Sequence, residues 1–186
     1  MSDSSDDLQA AHDESSTADG RAPRPTVRLF AVVAVVAIVI DQITKVVAVE
    51  WLEGRESITV VPGLIDFTFL RNPGAALGTG SGMTIILTLV AVAVAVVVIR
   101  MSARLRDRGW AVGLGLLLGG AVGNLIDRVV REPAPLRGHV VDFIDYGPFV
   151  GNVADIALTF AAVFLIVQSW RGIALDGTKE TKETKA

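Results

Sequence analysis

Asparagine and aspartate recur three residues apart at two places, Asn124 with Asp127 and Asn152 with Asp155, and an acidic segment, Val140-Val-Asp142-Phe-Ile-Asp145, lies between them. On a helix such a spacing puts both side chains on one face. These groups adjoin long apolar runs, and a carboxylate at the centre of a membrane helix costs roughly 2.5–3.5 kcal/mol on insertion scales, so the cluster marks a functional site. The apolar neighbours of Asp142 press it toward low dielectric, where burial raises a carboxyl pKa and a nearby carboxylate raises it further. Two carboxyls so placed can share one proton, one acting as base on water and the other polarising a carbonyl oxygen. Asp155 is the candidate for the ionised member, because it opens an apolar run where a helix dipole favours negative charge. Spacing leaves both Asp127 and Asp142 open as its partner.

Other residues surround this cluster. Asp41 and Lys45 stand four apart at the end of an uninterrupted apolar run and can pair, either bracing a site or with Lys45 snorkelling to the headgroups. Gly119, Gly120 and Gly123 offer a smooth surface to a neighbouring helix. Asn72-Pro73-Gly74 punctuates the approach to the second apolar run, and glycine there permits a close backbone approach to a ligand. His139 lacks a second histidine or a glutamate at ligand spacing, so a structural or surface role is expected. The chain has no cysteine, which excludes thiol catalysis, disulfides and thiolate metal sites. No cofactor is expected. A net charge of −3 with dispersed basic residues sets nucleic acid aside.

The elements that must carry these groups follow from composition. Of 186 residues, 51% are hydrophobic, and mean hydropathy is +0.52. Apolar runs at 27–49, 82–99, 110–126 and 150–170 are each long enough, at about 1.5 Å per residue, to cross roughly 30 Å of hydrocarbon. The fold class expected is therefore an all-α integral membrane protein of four transmembrane helices. Arg100, Arg104, Arg106 and Arg108 crowd the short connection between the second and third runs and mark that side as cytoplasmic, with both termini. The longer connections, 50–81 and 127–149, then face outward with the polar residues. Ser57-Ile-Thr-Val-Val61 and Ile65-Asp-Phe-Thr-Phe-Leu70, joined by Pro62-Gly63, predict a small β-rich segment on the outer surface. Residues 1–25 and 172–186 read as disordered cytoplasmic tails around a membrane domain at 26–171. A small proton-coupled transporter or channel subunit is the alternative, since intramembrane Asp and Lys also mark ion paths. It predicts polar groups spread through the bilayer, whereas here they gather at one face.

Five segments, in this order, carry a family resemblance: DQITK from Asp41, RNPGAALG from Arg71, GGAVGNLIDR from Gly119, HVVDF from His139 and NVAD from Asn152. Over about residues 27–170 the chain resembles lipoprotein signal peptidase, or signal peptidase II, an integral membrane aspartic endopeptidase of bacteria. The resemblance implies cleavage of the signal peptide from diacylglyceryl-modified prolipoproteins, just before the lipidated cysteine. It also implies a plasma-membrane location, inhibition by globomycin, and a catalytic dyad at Asp142 and Asp155. Asp41, Lys45, Asn72, Gly74, Asn124, Asp127, Arg128, Asn152 and Ala154 match positions the family keeps around the site, where they would bind substrate or support the dyad. Implied partners are lipid-modified prolipoproteins and membrane lipids, and the oligomeric state is left open. Leu77 and Gly151 stand where the family commonly has Phe, Ile156 stands where Ser is frequent, and the 142–155 stretch is short; these departures touch the pocket wall more than the carboxylates.

Overall fold

The computed structural model describes residues 25–74 and 83–179. Helix α1 spans Pro25–Leu52, α2 Met83–Ser102, α3 Arg108–Val130 and α4 Val153–Trp170. All four are long and apolar enough to cross a membrane, with mean hydropathy from 1.6 to 2.7. Strands β1 (Ile58–Val61), β2 (Ile65–Asn72), β3 (Val140–Asp145) and β4 (Val150–Gly151) form one antiparallel sheet in that order. The expected architecture, four spanning helices with a small β-rich segment, is the one observed.

Residue size decides which helix is central. α3 buries Gly113, Gly115, Gly119, Gly120 and Gly123, and packs against each of the other three helices. Half of its apolar window is buried, against 22% for the others. At Gly123 an added Cβ would lie 2.6 Å from Asp41 Oδ2, so only glycine admits the α1 carboxylate there. α1 turns Phe30, Ala34, Asp41, Lys45, Ala48 and Leu52 inward, at intervals of three, four or seven residues that keep them on one face. Its other face leaves Val32, Val35, Val39, Ile43 and Val46 exposed, as do Leu89 and Val97 of α2 and Phe160 and Val163 of α4. That belt suits hydrocarbon, where helices satisfy their own backbone groups and apolar side chains need no cover.

The sheet caps one end of the bundle. Val141 and Phe143 of β3 pack with Ala48 and Leu52 of α1, and Phe67 and Phe69 of β2 join them. Arg71 Nη2 and Glu53 Oε1, 2.9 Å apart, tie β2 to the chain just beyond α1.

Two segments differ from the sequence expectation. Residues 140–149, expected as part of a connecting loop, and 150–151, expected to open the fourth apolar run, form β3, a tight turn and β4, with Tyr146 N donating to Phe149 O at 3.0 Å across Gly147 at φ +88°. The expected disordered tail from 172 begins instead as an ordered turn, in which Ile173 pairs with Lys179 and Leu175 packs on the Phe30, Leu105 and Leu114 cluster. The N-terminal tail before Pro25 lies outside the described residues.

Candidate active site

Asn152 ends the sheet and caps α4. Its Oδ1 accepts from Asp155 N at 3.1 Å while its own N donates to Asp155 Oδ2 at 3.0 Å, a reciprocal capping box. Asp155 therefore sits in the first turn, at the positive end of the helix dipole. Its second oxygen, Oδ1, accepts from Asn124 Nδ2 at 3.0 Å. The two Asn-x-x-Asp pairs are thus joined to each other, through Asn124 to Asp155 and through Asn152 Nδ2 to Asn124 Oδ1 at 3.1 Å.

Asp142 reaches the same place from the sheet. Strand register sets it opposite Leu70, and Asn72 of β2 donates to Asp142 Oδ2 at 2.7 Å. Asn152 Nδ2 donates to Asp142 Oδ1, so Asn152 touches both carboxyl groups, one by its side chain and the other by its backbone. Asp142 is only 2% exposed. Burial pushes its pKa up to about 6, against the pull of the Asn72 hydrogen bond; the Asp155 charge adds to the rise, and Asn152 and Lys45 oppose it. Both carboxyl groups line one cavity of about 430 Å³, with Leu70, Asn72, Pro148, Phe149 and Val150. A second cleft of about 240 Å³ runs from Asp155 along Ile156, Thr159 and Phe160 of α4, under Tyr146 and Phe149.

Behind the cavity lies a charged network in which Lys45 is the hub. Its Nζ lies 2.9 Å from Asp41 Oδ2 and 2.8 Å from Asp127 Oδ2, and donates to Asn124 Oδ1 at 2.9 Å. Asp41, Lys45 and Asp127 are fully buried, so Lys45 does not snorkel. Asp41 Oδ1 accepts from Ala154 N at 2.9 Å, which fixes the start of α4 against α1. Asp127 Oδ1 lies 2.8 Å from Arg131 Nε, and Asp127 Oδ2 accepts from Val141 N at 3.2 Å, beside Asp142. With both its oxygens so engaged, Asp127 takes no part in the cavity lining. Stripping one partner from such a buried set strands a charge, at a cost of about 3–5 kcal/mol.

The remaining expected residues fall close by. Asn72 Oδ1 accepts from Gly74 N at 2.8 Å, and Gly74 is at φ +104°, a conformation suited to glycine. Arg128 Nη1 donates to Asn124 O at 3.0 Å. His139 is half-buried, its backbone N bonded to Glu132 O. Among the departures, Leu77 lies outside the described residues. Gly151 leaves room for the site: a Cβ there would meet Asp155 Oδ2 at 3.1 Å and the Phe149 ring at 3.4 Å. Ile156 lines the lateral cleft.

Two supporting residues went unread in the sequence. Gln42 donates to Asp41 Oδ2 and Gly123 O, both at 3.1 Å, bridging α1 to α3, and Arg131 pairs with Asp127. Arg131 stands four residues after Asp127, a spacing that signals an ion pair on a helix face. Gln42 carries no such signal, because its partner Gly123 is distant in sequence.

The profile of the signal peptidase (SPase) II family matches residues 33–171. A lipoprotein signal peptidase of Bifidobacterium longum subsp. infantis is 46% identical over 144 residues, covering 77% of this chain and 79% of the relative. One from Mycobacterium tuberculosis is 41% identical over 176 residues, covering 93% and 87%. Among solved structures, a bacterial membrane enzyme determined in meso at 1.9 Å resolution is similar with a TM-score of 0.64 and 30% identity, over 75% of this chain and 91% of the other. A second, at 2.3 Å, gives 0.66 and 29%, over 82% and 94%.

Proposed function

The chain belongs to the signal peptidase II family, and on that premise we propose that it removes the signal peptide from diacylglyceryl-modified prolipoproteins, cutting before the lipidated cysteine with Asp142 and Asp155 as an aspartic dyad. The observation that carries the reading is that both carboxyl groups line one cavity and are bridged by a single residue, Asn152.

Asp155 carries the charge at rest and Asp142 the proton. The capping box and helix dipole favour an anion at Asp155, whereas burial raises the pKa of Asp142. A water entering between them loses a proton to Asp155 as its oxygen attacks the scissile carbonyl carbon, and Asp142 gives its proton to the carbonyl oxygen. The resulting gem-diol collapses: one hydroxyl returns its proton to Asp142, the C–N bond breaks, and Asp155 protonates the departing nitrogen. The free carboxyl and amine are released and the dyad regains its single proton. Titration of each carboxyl in the intact protein tests the assignment, and release of the Asp142 proton before that of Asp155 would refute it.

Asp127, held by Lys45 and Arg131, serves as support, as do Asp41 and Lys45. The arginine-rich α2–α3 connection favours a cytoplasmic position for that end and for both termini, with the sheet and dyad at the outer face. A lipid-anchored substrate is then delivered at headgroup depth, and the lateral cleft along α4 gives it a side entrance. A soluble, unlipidated precursor should be a poor substrate.

The test is cleavage of a diacylglyceryl-modified prolipoprotein by purified protein beside Asp142→Asn, Asp155→Asn and Asp127→Asn. The dyad predicts complete loss at 142 and 155 with partial activity at 127. Loss at 127 with activity kept at 142 would overturn the choice of partner, and no cleavage by well-folded wild-type protein would overturn the reading itself.

A further inference from the structure

The end of the bundle away from the sheet holds a second charged site that the cleavage chemistry does not use. The turn between α2 and α3 is pinned by Leu105, which is fully buried with Phe30, Val98 and Leu114 and whose carbonyl accepts from Thr26 Oγ1 at 2.9 Å. Arg104 and Arg106, on either side of it, are exposed. The C-terminal turn closes the other side. Leu175 O accepts from Arg106 N at 2.9 Å and Asp107 N at 3.3 Å, and the Trp110 indole donates to Ile173 O at 2.7 Å. Asp176 stands on this turn, its Oδ1 fixed by Thr178 N at 2.9 Å and Thr178 Oγ1 at 2.7 Å. Arg104, Arg106, Asp176, Thr178 and Ala103 line a hollow of about 490 Å³. Among the described residues, the ion pairs involve neither guanidinium nor the Asp176 carboxylate.

Two exposed guanidiniums and a fixed carboxylate around one hollow, Arg106 within Coulombic reach of Asp176 but with no direct ion pair between them, complement a zwitterion with an anionic and a cationic group. Depth narrows the choice. The hollow lies where α2 leaves and α3 enters the apolar zone, beside Trp110 and near the α4 end at Trp170, the level of lipid headgroups. We propose that it binds a phosphoethanolamine headgroup of a membrane lipid, with the phosphate on Arg104 and Arg106 and the ammonium on Asp176. A choline headgroup has the same charges but no N–H to donate, and a glycerol headgroup has no cation for Asp176, so the carboxylate is the selecting element.

Native mass spectrometry of the full chain in detergent, titrated with phosphatidylethanolamine, phosphatidylglycerol or phosphatidylcholine of matched acyl chains, tests this. The first bound phosphatidylethanolamine should be held about three- to fivefold tighter than phosphatidylglycerol, the worth of one exposed ion pair. Asp176→Asn should erase that preference by weakening phosphatidylethanolamine alone. The double variant Arg104→Gln/Arg106→Gln should weaken both lipids, with circular dichroism and cleavage of lipidated substrate as controls for an intact protein. A preference unchanged in Asp176→Asn, or retention unchanged in the double arginine variant, overturns the proposal. Free O-phosphoethanolamine separates the two sources of this chemistry: displacement of bound lipid only at millimolar concentration supports a lipid ligand, and micromolar binding to delipidated protein overturns the membrane assignment.

Discussion

Replacing Asp142 by asparagine should stabilise the fold at pH 7.5 while abolishing cleavage, and the stabilisation should disappear in acid. Burial first of all pushes the pKa of Asp142 up to about 6 in the fold, from 3.8 for a free aspartate. A group whose folded pKa is raised binds its proton more tightly when folded, so its contribution to stability is whole below pH 3.8 and is lost as the pH rises through 6. Above that window, keeping the carboxylate ionised in the fold costs about 3 kcal/mol, from about 1.4 kcal/mol per pH unit. Asparagine removes the penalty but offers one acceptor oxygen where Asn72 and Asn152 both donate, which returns about 1 kcal/mol or more. The net gain is about 1–2 kcal/mol, or roughly 2–8 °C in melting temperature for a chain of this size. Tryptophan-fluorescence melts of wild type and Asp142→Asn from pH 4 to 8.5, in one detergent, measure it directly. A variant less stable than wild type at pH 7.5, or a gap of equal size at pH 4, refutes the reasoning.

Lys45→Met leaves Asp41 and Asp127 buried without their shared cation, and should lower stability by about 3–5 kcal/mol, read as a melting shift that persists from pH 6 to 8.5. Gly123→Ala drives a Cβ onto Asp41 Oδ2, which already holds Lys45 and Gln42; an overpacking cost of about 1–3 kcal/mol is expected, with a fall in kcat as α4 loses its Ala154 anchor, checked by melting and cleavage assays. The rate should show an alkaline limb: kcat/KM, reporting the free enzyme, should decline above about pH 6 as Asp142 loses its proton, whereas the limb of kcat should lie higher because bound substrate excludes water from the cavity. A kcat/KM flat from pH 5.5 to 8 would contradict the shared-proton dyad.

What the sequence conveyed best was what depends on neighbours along the chain. The four apolar runs became α1 to α4 within a few residues, and Pro62-Gly63 marked the β1–β2 hairpin. The Asn152-x-x-Asp155 spacing was legible as a helix start because a capping box is complete within four residues. What stayed hidden depends on distant partners. Val140–Asp145 is a short apolar run with two carboxylates, which periodicity cannot assign; pairing with β2, some seventy residues earlier, makes it a strand and brings Asp142 to Asn72. Lys45 could be read as snorkelling because nothing in α1 announces that Asp127 of α3 will face it. Gln42 was invisible for the same reason. Spacing could not choose between Asp127 and Asp142 as the partner of Asp155, because the Lys45 contact that sets Asp127 apart comes from a helix distant in sequence.

The same distinction explains how so many charges persist at a membrane's edge. Asp41 and Asp127 each touch Lys45, and Asp127 also touches Arg131, so both carboxylates are tied to cations from neighbouring turns or helices. Asp142 receives its hydrogen bonds from the amides of Asn72 and Asn152, and Asp155 from the Asn124 amide and the Asn152 backbone. Neutral donors stabilise a carboxylate less than a touching cation does, and they leave room for a proton to come and go. Amides also adapt, because rotation exchanges a donor for an acceptor when a carboxylate becomes a carboxylic acid. The scaffold thus keeps two kinds of acidic group side by side: carboxylates locked by cations that join the helices, and carboxylates framed by asparagines at the cavity. Moving a cation into contact with Asp142 would stabilise its anion and, on the proposed dyad, take away the proton that cleavage needs.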